Sequence, residues 1–392
     1  MDQDPVLIRS LTLKNILSYG TEGQYIPLGP LNVLIGPNGS GKSNLIDAIA
    51  LLRSSAKDLR DIVRDGGGVS EWIWKGASQN AAMIDAVINN PLGNQPLRHA
   101  LAFRAEREAF RLDDERIENE KSYSGKGDPY FYYRFQQGKP MVNTKEGERK
   151  LAQEHVEPDL SILAQRRDPE IYPEITYLAN EYEKIRIYRE WAFGRNANAV
   201  IRNPQKADMR FHRLEEDFSN LGLFLNYLRS FPKAKNTLLS ALRDLYEGLD
   251  DFDVSVKSGT VQVFLTEGNF IIPATRLSDG TLRYLCLLAI LCDPEPPQLV
   301  CIEEPELGLH PDILPKLAEL MIAMSERTQL IVTTHSDFLV NAFNEHPESV
   351  LVCEKHNGQS TIERPDPQKL AIWLEEYSIG ELWNHGQLGG RR

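Results

Sequence analysis

Gly36-Pro37-Asn38-Gly39-Ser40-Gly41-Lys42-Ser43 is the stretch whose reading decides the fold. Before it stands Leu31-Asn32-Val33-Leu34-Ile35, a short apolar run that reads as a buried strand. After it comes an apolar-periodic helix from about Asn44 to Arg53. The pattern G-x-x-x-x-G-K-S between a strand and a helix is a phosphate cradle. Its glycines let the backbone curl so that successive N–H groups face one anion, and the helix points its positive end at the same place. Lys42 then neutralises the β- and γ-phosphates of ATP and the Ser43 hydroxyl ligates Mg²⁺. Asn38, Gly39, Ser40, Gly41 and Asn44 line the same cradle.

A second half of the site is written further along. Leu299-Val300-Cys301-Ile302-Glu303-Glu304 is an apolar strand ending in two carboxylates. Beside a phosphate loop, Glu303 suits Mg²⁺, directly or through water, and Glu304 suits polarising the attacking water. A Glu-Glu pair at a strand end is common, so this reading depends on the loop. Thr333-Thr334-His335-Ser336 ends another buried strand, where a histidine can reach a γ-phosphate and sense its loss. Leu277-Ser278-Asp279-Gly280-Thr281 opens an apolar helix from about Asp279 to Cys292, with Ser278 as N-cap and Gly280 keeping the backbone accessible. One ATP does not need two anion-binding helix ends from one subunit. The second is expected to close on the nucleotide of another copy.

Composition bounds the remaining choices. The 392 residues suit two or three lobes, and 41% hydrophobic content is too high for a mainly disordered chain. Gly 27 and Pro 23, spread without a period, exclude collagen-like and low-complexity classes. No apolar run reaches the ~18–20 residues that cross a bilayer. Met1-Asp2-Gln3-Asp4-Pro5 lacks the basic-then-apolar order of a signal peptide, so a cytoplasmic protein without membrane contact is expected. The net charge of −12 excludes a general polyanion binder and confines any DNA contact to a local patch or an assembled oligomer. Cys286, Cys292, Cys301 and Cys353 form no Cys-x-x-Cys pair, which predicts buried reduced thiols and no zinc site.

Along the chain, residues 6–13 read as an opening strand, and residues 82–136 alternate as an antiparallel meander broken by a loop at Gly125-Lys126-Gly127-Asp128-Pro129. From about Glu146 to Glu247 the pattern is mostly helical. Val254–Lys257 and Thr260–Leu265 flank Ser258-Gly259 as a tight hairpin. Strand–helix–strand order at both ends predicts an α/β fold with a mostly parallel sheet. The expected division is a lobe at 1–145 with the phosphate loop and meander, a helical insertion at 146–250, and a lobe at 251–392 with the remaining motifs.

With these residues in place, the chain resembles the ABC-type ATPase heads of the SMC and RecF proteins, and among them the predicted ATPases related to the ATPase half of the OLD nucleases. Leu13-Lys14-Asn15-Ile16-Leu17-Ser18-Tyr19-Gly20 looks like that family's first motif, with Ile16 where Phe is usual. Ser278-Asp279-Gly280-Thr281 looks like the signature motif, Glu303-Glu304-Pro305-Glu306-Leu307-Gly308-Leu309-His310-Pro311 like Walker B with the D-loop, and His335 like the switch histidine. Tyr377-Ser378-Ile379-Gly380-Glu381-Leu382-Trp383 and Leu388-Gly389-Gly390 also look like this group. The resemblance covers about 1–75 and 250–392. It implies a RecA-like sheet with a β meander, and ATP and Mg²⁺ as ligands. Asn15 and Tyr19 would lie near the base or ribose or simply pack, and Gln165 stands where a Q-loop glutamine would touch Mg²⁺, or is a plain helix-surface Gln. Neither a long heptad coiled coil nor, after His335, an acidic TOPRIM nuclease module is present.

Lys184, Arg186, Arg189, Arg195, Arg202, Lys206, Arg210 and Arg213 run with Tyr188, Trp191, Phe193 and Phe211 between them, opposed only by Glu190 and Asp208. Arg186, Arg189, Arg195 and Arg202 could track a phosphate backbone or grip an acidic partner, or they could be a solvated helix face over core aromatics. Three functions follow as expectations. The first is an ATPase whose head-to-tail homodimer, or higher even oligomer, gates a separate nuclease or toxin effector in anti-phage defence. The second is a RecF-like clamp that binds DNA itself. The third is an ATP-binding scaffold that scarcely turns over.

Overall fold

The computed structural model describes residues 4–76, 81–125, 127–136, 138–144, 147–150, 156–191, 193 and 202–389. Its centre is a six-stranded sheet in the order Arg186–Tyr188, Leu299–Glu303, Gln329–Thr333, Leu31–Ile35, Val350–His356, Gln359–Glu363. The first five strands are parallel and the last is antiparallel. Alternate residues of these strands enter two separate cores. Val33, Ile35, Val300, Ile302, Leu330 and Val332 face the helices Asp279–Leu291 and Leu314–Ser325, while Leu34, Leu299, Cys301, Ile331 and Leu351 face the phosphate-loop helix Lys42–Ser55. A sheet covered on both faces needs apolar residues at successive positions, which is why these strands read as unbroken apolar runs. All four cysteines are free and buried, as the sequence predicts.

An eight-stranded antiparallel sheet holds the opening strand Ile8–Lys14 together with the meander. In Ala82–Ile88 every second side chain is buried, the period-2 pattern of a sheet with one covered face. A smaller sheet carries the predicted hairpin: Asp251–Lys257 pairs with Thr260–Glu267, and Ser258 and Gly259 both take positive φ, 51° and 76°, in the two-residue turn. The helix Asp279–Leu291 has 11 buried residues, nine of them in the apolar core it shares with the central sheet and the neighbouring helices.

The stretch expected to be a helical insertion differs in one respect that matters for the site. It includes helices Pro173–Lys184, Leu221–Leu228 and Pro232–Leu245, but Arg186–Tyr188 leaves it to become an edge strand of the central sheet, with Tyr188 opposite Ile302. Three residues are too few to register as a period. Gly147–Lys150 is also a strand, extending the antiparallel sheet beyond the predicted meander.

Candidate active site

The phosphate loop emerges from the carboxyl end of Leu31–Ile35, flanked by Gln329–Thr333 and Val350–His356. Gly36, Gly39 and Gly41 have φ of 148°, 74° and 105°, in the region that favours glycine. A Cβ on Gly36 would lie 2.2 Å from the Cys353 carbonyl oxygen. Gly36→Ala is therefore expected to lower stability by about 1–3 kcal/mol and to reduce nucleotide affinity, whereas Gly39, with nothing near its Cβ position, has only its φ to lose. Urea denaturation and titration with a fluorescent ATP analogue check both. Helix Lys42–Ser55 begins at Gly41 with no side-chain cap, which leaves its first N–H groups free for a ligand. Lys42 is buried, and its Nζ donates to the carbonyls of Gly36 at 2.7 Å and Pro37 at 3.0 Å. Burial pushes its ammonium below the ordinary lysine range. Ser40 Oγ is buried without a hydrogen-bond partner, and Asn38, Gly39 and Ser43 are exposed.

Two sequence-predicted ligands turn out to be braces. Tyr19 is fully buried and its hydroxyl donates to the Gly41 carbonyl at 3.0 Å, so it supports the loop from inside and does not reach a base. The Asn44 amide donates to Ser18 Oγ at 2.6 Å, and Ser360 Oγ also donates to Ser18 Oγ at 2.6 Å, stitching the strand Gln359–Glu363 to the back of the cradle.

Glu303 ends its strand beside the loop. Burial raises its carboxyl above the usual range, opposed by the Arg189 guanidinium and by a hydrogen bond from Ser43. Its Oε1 is buried without a hydrogen-bond partner. A hydroxyl next to a carboxylate oxygen with open lone pairs fits a hard divalent cation. The same test favours a triphosphate in the cradle, given the uncapped helix start, the buried lysine and the unpartnered Ser40 hydroxyl.

Glu304 follows in a left-handed conformation, φ 45°. Its N–H donates to the Thr333 carbonyl at 2.9 Å, its own carbonyl accepts from Arg283 Nη2 at 2.9 Å, and its Oε1 lies 3.3 Å from His335 Nε2. Glu306 is held by Thr334 Oγ1 at 2.7 Å and the His335 N–H at 2.8 Å, which ties the two catalytic loops together. Arg283 lies over the Trp191 ring at 4.5 Å, and burial lowers its guanidinium to about 10. Trp191 Nε1 in turn donates to the Glu303 carbonyl at 2.8 Å. Ser278 caps helix Asp279–Leu291 through the Thr281 N–H at 3.1 Å and is exposed. A Cβ on Gly280 would lie 3.0 Å from the Gly308 carbonyl oxygen, so the start of that helix presses on the loop after Glu304.

Four further expectations are corrected. Gln165 accepts from the Glu157 N–H at 2.8 Å and donates to the Glu157 and Leu160 carbonyls at 3.0 and 2.8 Å, so its amide closes a local turn and does not face a metal. Three arginines of the basic segment have internal partners. Arg186 donates to the Glu183 and Ile185 carbonyls at the end of helix Pro173–Lys184. Arg189 pairs with Asp47 at 2.7 Å and lies 3.4 Å from Glu303. Arg202 is buried, bonded to the Phe193 and Leu277 carbonyls at 2.7 and 2.8 Å and paired with Asp279. Arg195 lies outside the described residues. Asp47 and Arg283 are not among the sequence-predicted residues, and Trp191 and Glu306 stand there only as members of longer stretches. Asp47 alone had a signal, standing one helical turn after Ser43.

Solved structures share this fold. A crystal structure of the Smc head bound to the C-winged helix domain of ScpA superposes with a TM-score of 0.58 over 93% of this chain and 99% of that one, at 15% identity. The Smc head with an extended coiled coil bound to the C-terminal domain of ScpA, derived from Pyrococcus furiosus, gives 0.59 over 94% and 99%, at 14%. In sequence, 56 residues are 50% identical to the chromosome partition protein Smc of Aquifex aeolicus, 14% of this chain and 5% of that protein. A stretch of 105 residues is 35% identical to its counterpart in Desulfitobacterium hafniense, 25% and 8%. The chain thus spans less than a tenth of the length of these relatives. The longest helices among the described residues have 14 residues, and none is long and apolar enough to cross a membrane. The family model described as "AAA domain, putative AbiEii toxin, Type IV TA system" matches residues 31–341, and the chain belongs to that family as an SMC-like, ABC-type P-loop ATPase head without a coiled coil.

Proposed function

We propose that this protein hydrolyses ATP to ADP and phosphate between two copies of itself, and that closing and reopening of the pair gates a separate effector. Lys42, Ser43 and the loop amides hold the triphosphate. Mg²⁺, carried by Ser43 and Glu303, supplies charge neutralisation on the phosphates. Glu304 accepts the proton of the attacking water, and His335 holds its carboxylate in place. Ser278 and Gly280 of the second copy cover the γ-phosphate, so its loss removes the charge that joins the copies.

One observation carries the paired arrangement. Ser278 and Asp279 at one helix start, Leu307 in the loop after Glu304 and Phe338 in the short helix Asp337–Asn341 after His335 are all exposed, with Leu307 48% and Phe338 60% accessible. Large apolar side chains bordering an anion-binding helix end form a rim suited to a covering surface of matched chemistry. The family description names a putative AbiEii toxin of a type IV TA system, which supports a link to a toxin-type effector. Direct clamping of DNA loses its main support, because Arg186, Arg189 and Arg202 are committed to internal partners. Sedimentation velocity with MgATP is expected to show a dimer in the Glu304→Gln background that Ser278→Arg abolishes. Lone protomers at saturating MgATP, with Lys42 and Ser278 replacements leaving that profile untouched, would falsify the pairing.

A further inference from the structure

Arg189 and Asp47 stand at the metal corner without a part in the chemistry above. Arg189 follows the edge strand Arg186–Tyr188, whose register with Leu299–Glu303 sets it beside Glu303 at the carboxyl edge of the sheet. Asp47 lies one turn beyond Ser43 on helix Lys42–Ser55. Arg189 Nη1 donates to Asp47 Oδ1 at 2.7 Å, which fixes the guanidinium. Its Nη2 is 3.4 Å from Glu303 Oε1, an ion pair that lacks a hydrogen bond: Arg189 Nε and Nη2 and Glu303 Oε1 are all buried and unpartnered. The contrast with Arg202 is informative, since that buried guanidinium is hydrogen-bonded through three nitrogens.

An interaction made by charge alone has a specific use. Glu303 Oε1 can pass to a cation without breaking any hydrogen bond, so the hand-over meets little resistance. Until then the guanidinium offsets one of the two carboxylates. Ser43, Asp47 and Glu303 by themselves would be two anions and a hydroxyl, a set that attracts a hard divalent ion on its own. With Arg189 among them the corner carries one negative charge, and an incoming dication meets a fixed positive group a few ångströms away. A triphosphate brings several negative charges with its metal and reverses that balance.

We propose that Arg189 is a positioning residue that acts as resident counter-charge to Glu303, barring a bare divalent cation so that the metal enters only together with the nucleotide. The proposal rests on the reading of Glu303 as the metal carboxylate, and its test separates the two. Mn²⁺ is titrated into the full chain without nucleotide and followed by electron paramagnetic resonance. Arg189→Gln is expected to bind Mn²⁺ at least about tenfold more tightly than the wild type, and Arg189→Gln with Glu303→Gln to lose that gain. Arg189→Lys, which keeps the charge, should stay as weak as the wild type. Should Gln at 189 disturb folding, as circular dichroism would report, Arg189→Met fills the same space and replaces it. Equal Mn²⁺ affinity in wild type and Arg189→Gln overturns the proposal, and so does a Lys variant that behaves like Gln. A Mn²⁺ spectrum with a non-hydrolysable ATP analogue that Glu303→Gln leaves unchanged overturns the metal reading itself, and the proposal with it.

Discussion

Glu304→Gln is expected to slow phosphate release about 10²–10⁴-fold while leaving ATP bound. The amide keeps the size of the side chain but cannot accept the water's proton. The backbone of residue 304 is held independently of that group, through Thr333 on one side and Arg283 on the other. The loop should therefore keep its left-handed shape, and the loss should fall on the chemical step. Single-turnover phosphate release measures it, with retention of a radiolabelled nucleotide as the companion reading. Unchanged release would remove Glu304 as the base and favour the scaffold that scarcely turns over.

The second large effect concerns affinity. Lys42→Met keeps an apolar stem of similar length in the buried site and deletes the ammonium. In the protein that ammonium is satisfied only by the dipoles of the Gly36 and Pro37 carbonyls, at 2.7 and 3.0 Å. A phosphate offers it a full opposite charge. Removing one member of such a buried pair costs about 2–5 kcal/mol, roughly 30- to 4,000-fold in affinity. The readout is the melting shift on adding MgATP. Ligand at 100 times Kd stabilises the wild type by about 2.7 kcal/mol, and the same concentration should stabilise the variant by no more than about 0.9 kcal/mol. An equal shift in both proteins would show that Lys42 does not bind the phosphates.

The motifs that were legible share one property: each is contiguous. Gly36 to Ser43 needs a fixed run of residues between a strand and a helix, and Leu299 to Glu304 is an apolar strand with its carboxylates attached. The parallel sheet was equally readable, since burial on both faces writes itself as successive apolar residues. What escaped detection depends on distant pairing. Arg189 meets Asp47 across 142 positions and Arg202 meets Asp279 across 77, so two charges of one contiguous basic run are paired with distant carboxylates. Gln165 stayed open between metal ligand and plain helix residue for a related reason, because an amide cannot be seen in the sequence to be spent on its own turn. Tyr19 sits in the first motif as expected, yet its ring is in the core and only its hydroxyl meets the cradle.

The placement of Leu31–Ile35 in mid-sheet has a consequence for how the protein is made. Asn32 donates to the Leu330 carbonyl across 298 positions of sequence, and Ser360 reaches Ser18 across 342. On the ribosome the glycine loop is made well before the two strands that flank it, Gln329–Thr333 and Val350–His356, which follow roughly 300 residues later. At about 5–20 residues per second that delay is roughly 15–60 s. The opening strand and meander can pair in that interval, while the apolar strand feeding the cradle waits for its neighbours. Until then the cradle lacks both flanking strands, and an apolar segment destined for mid-sheet has no native neighbour to pair with.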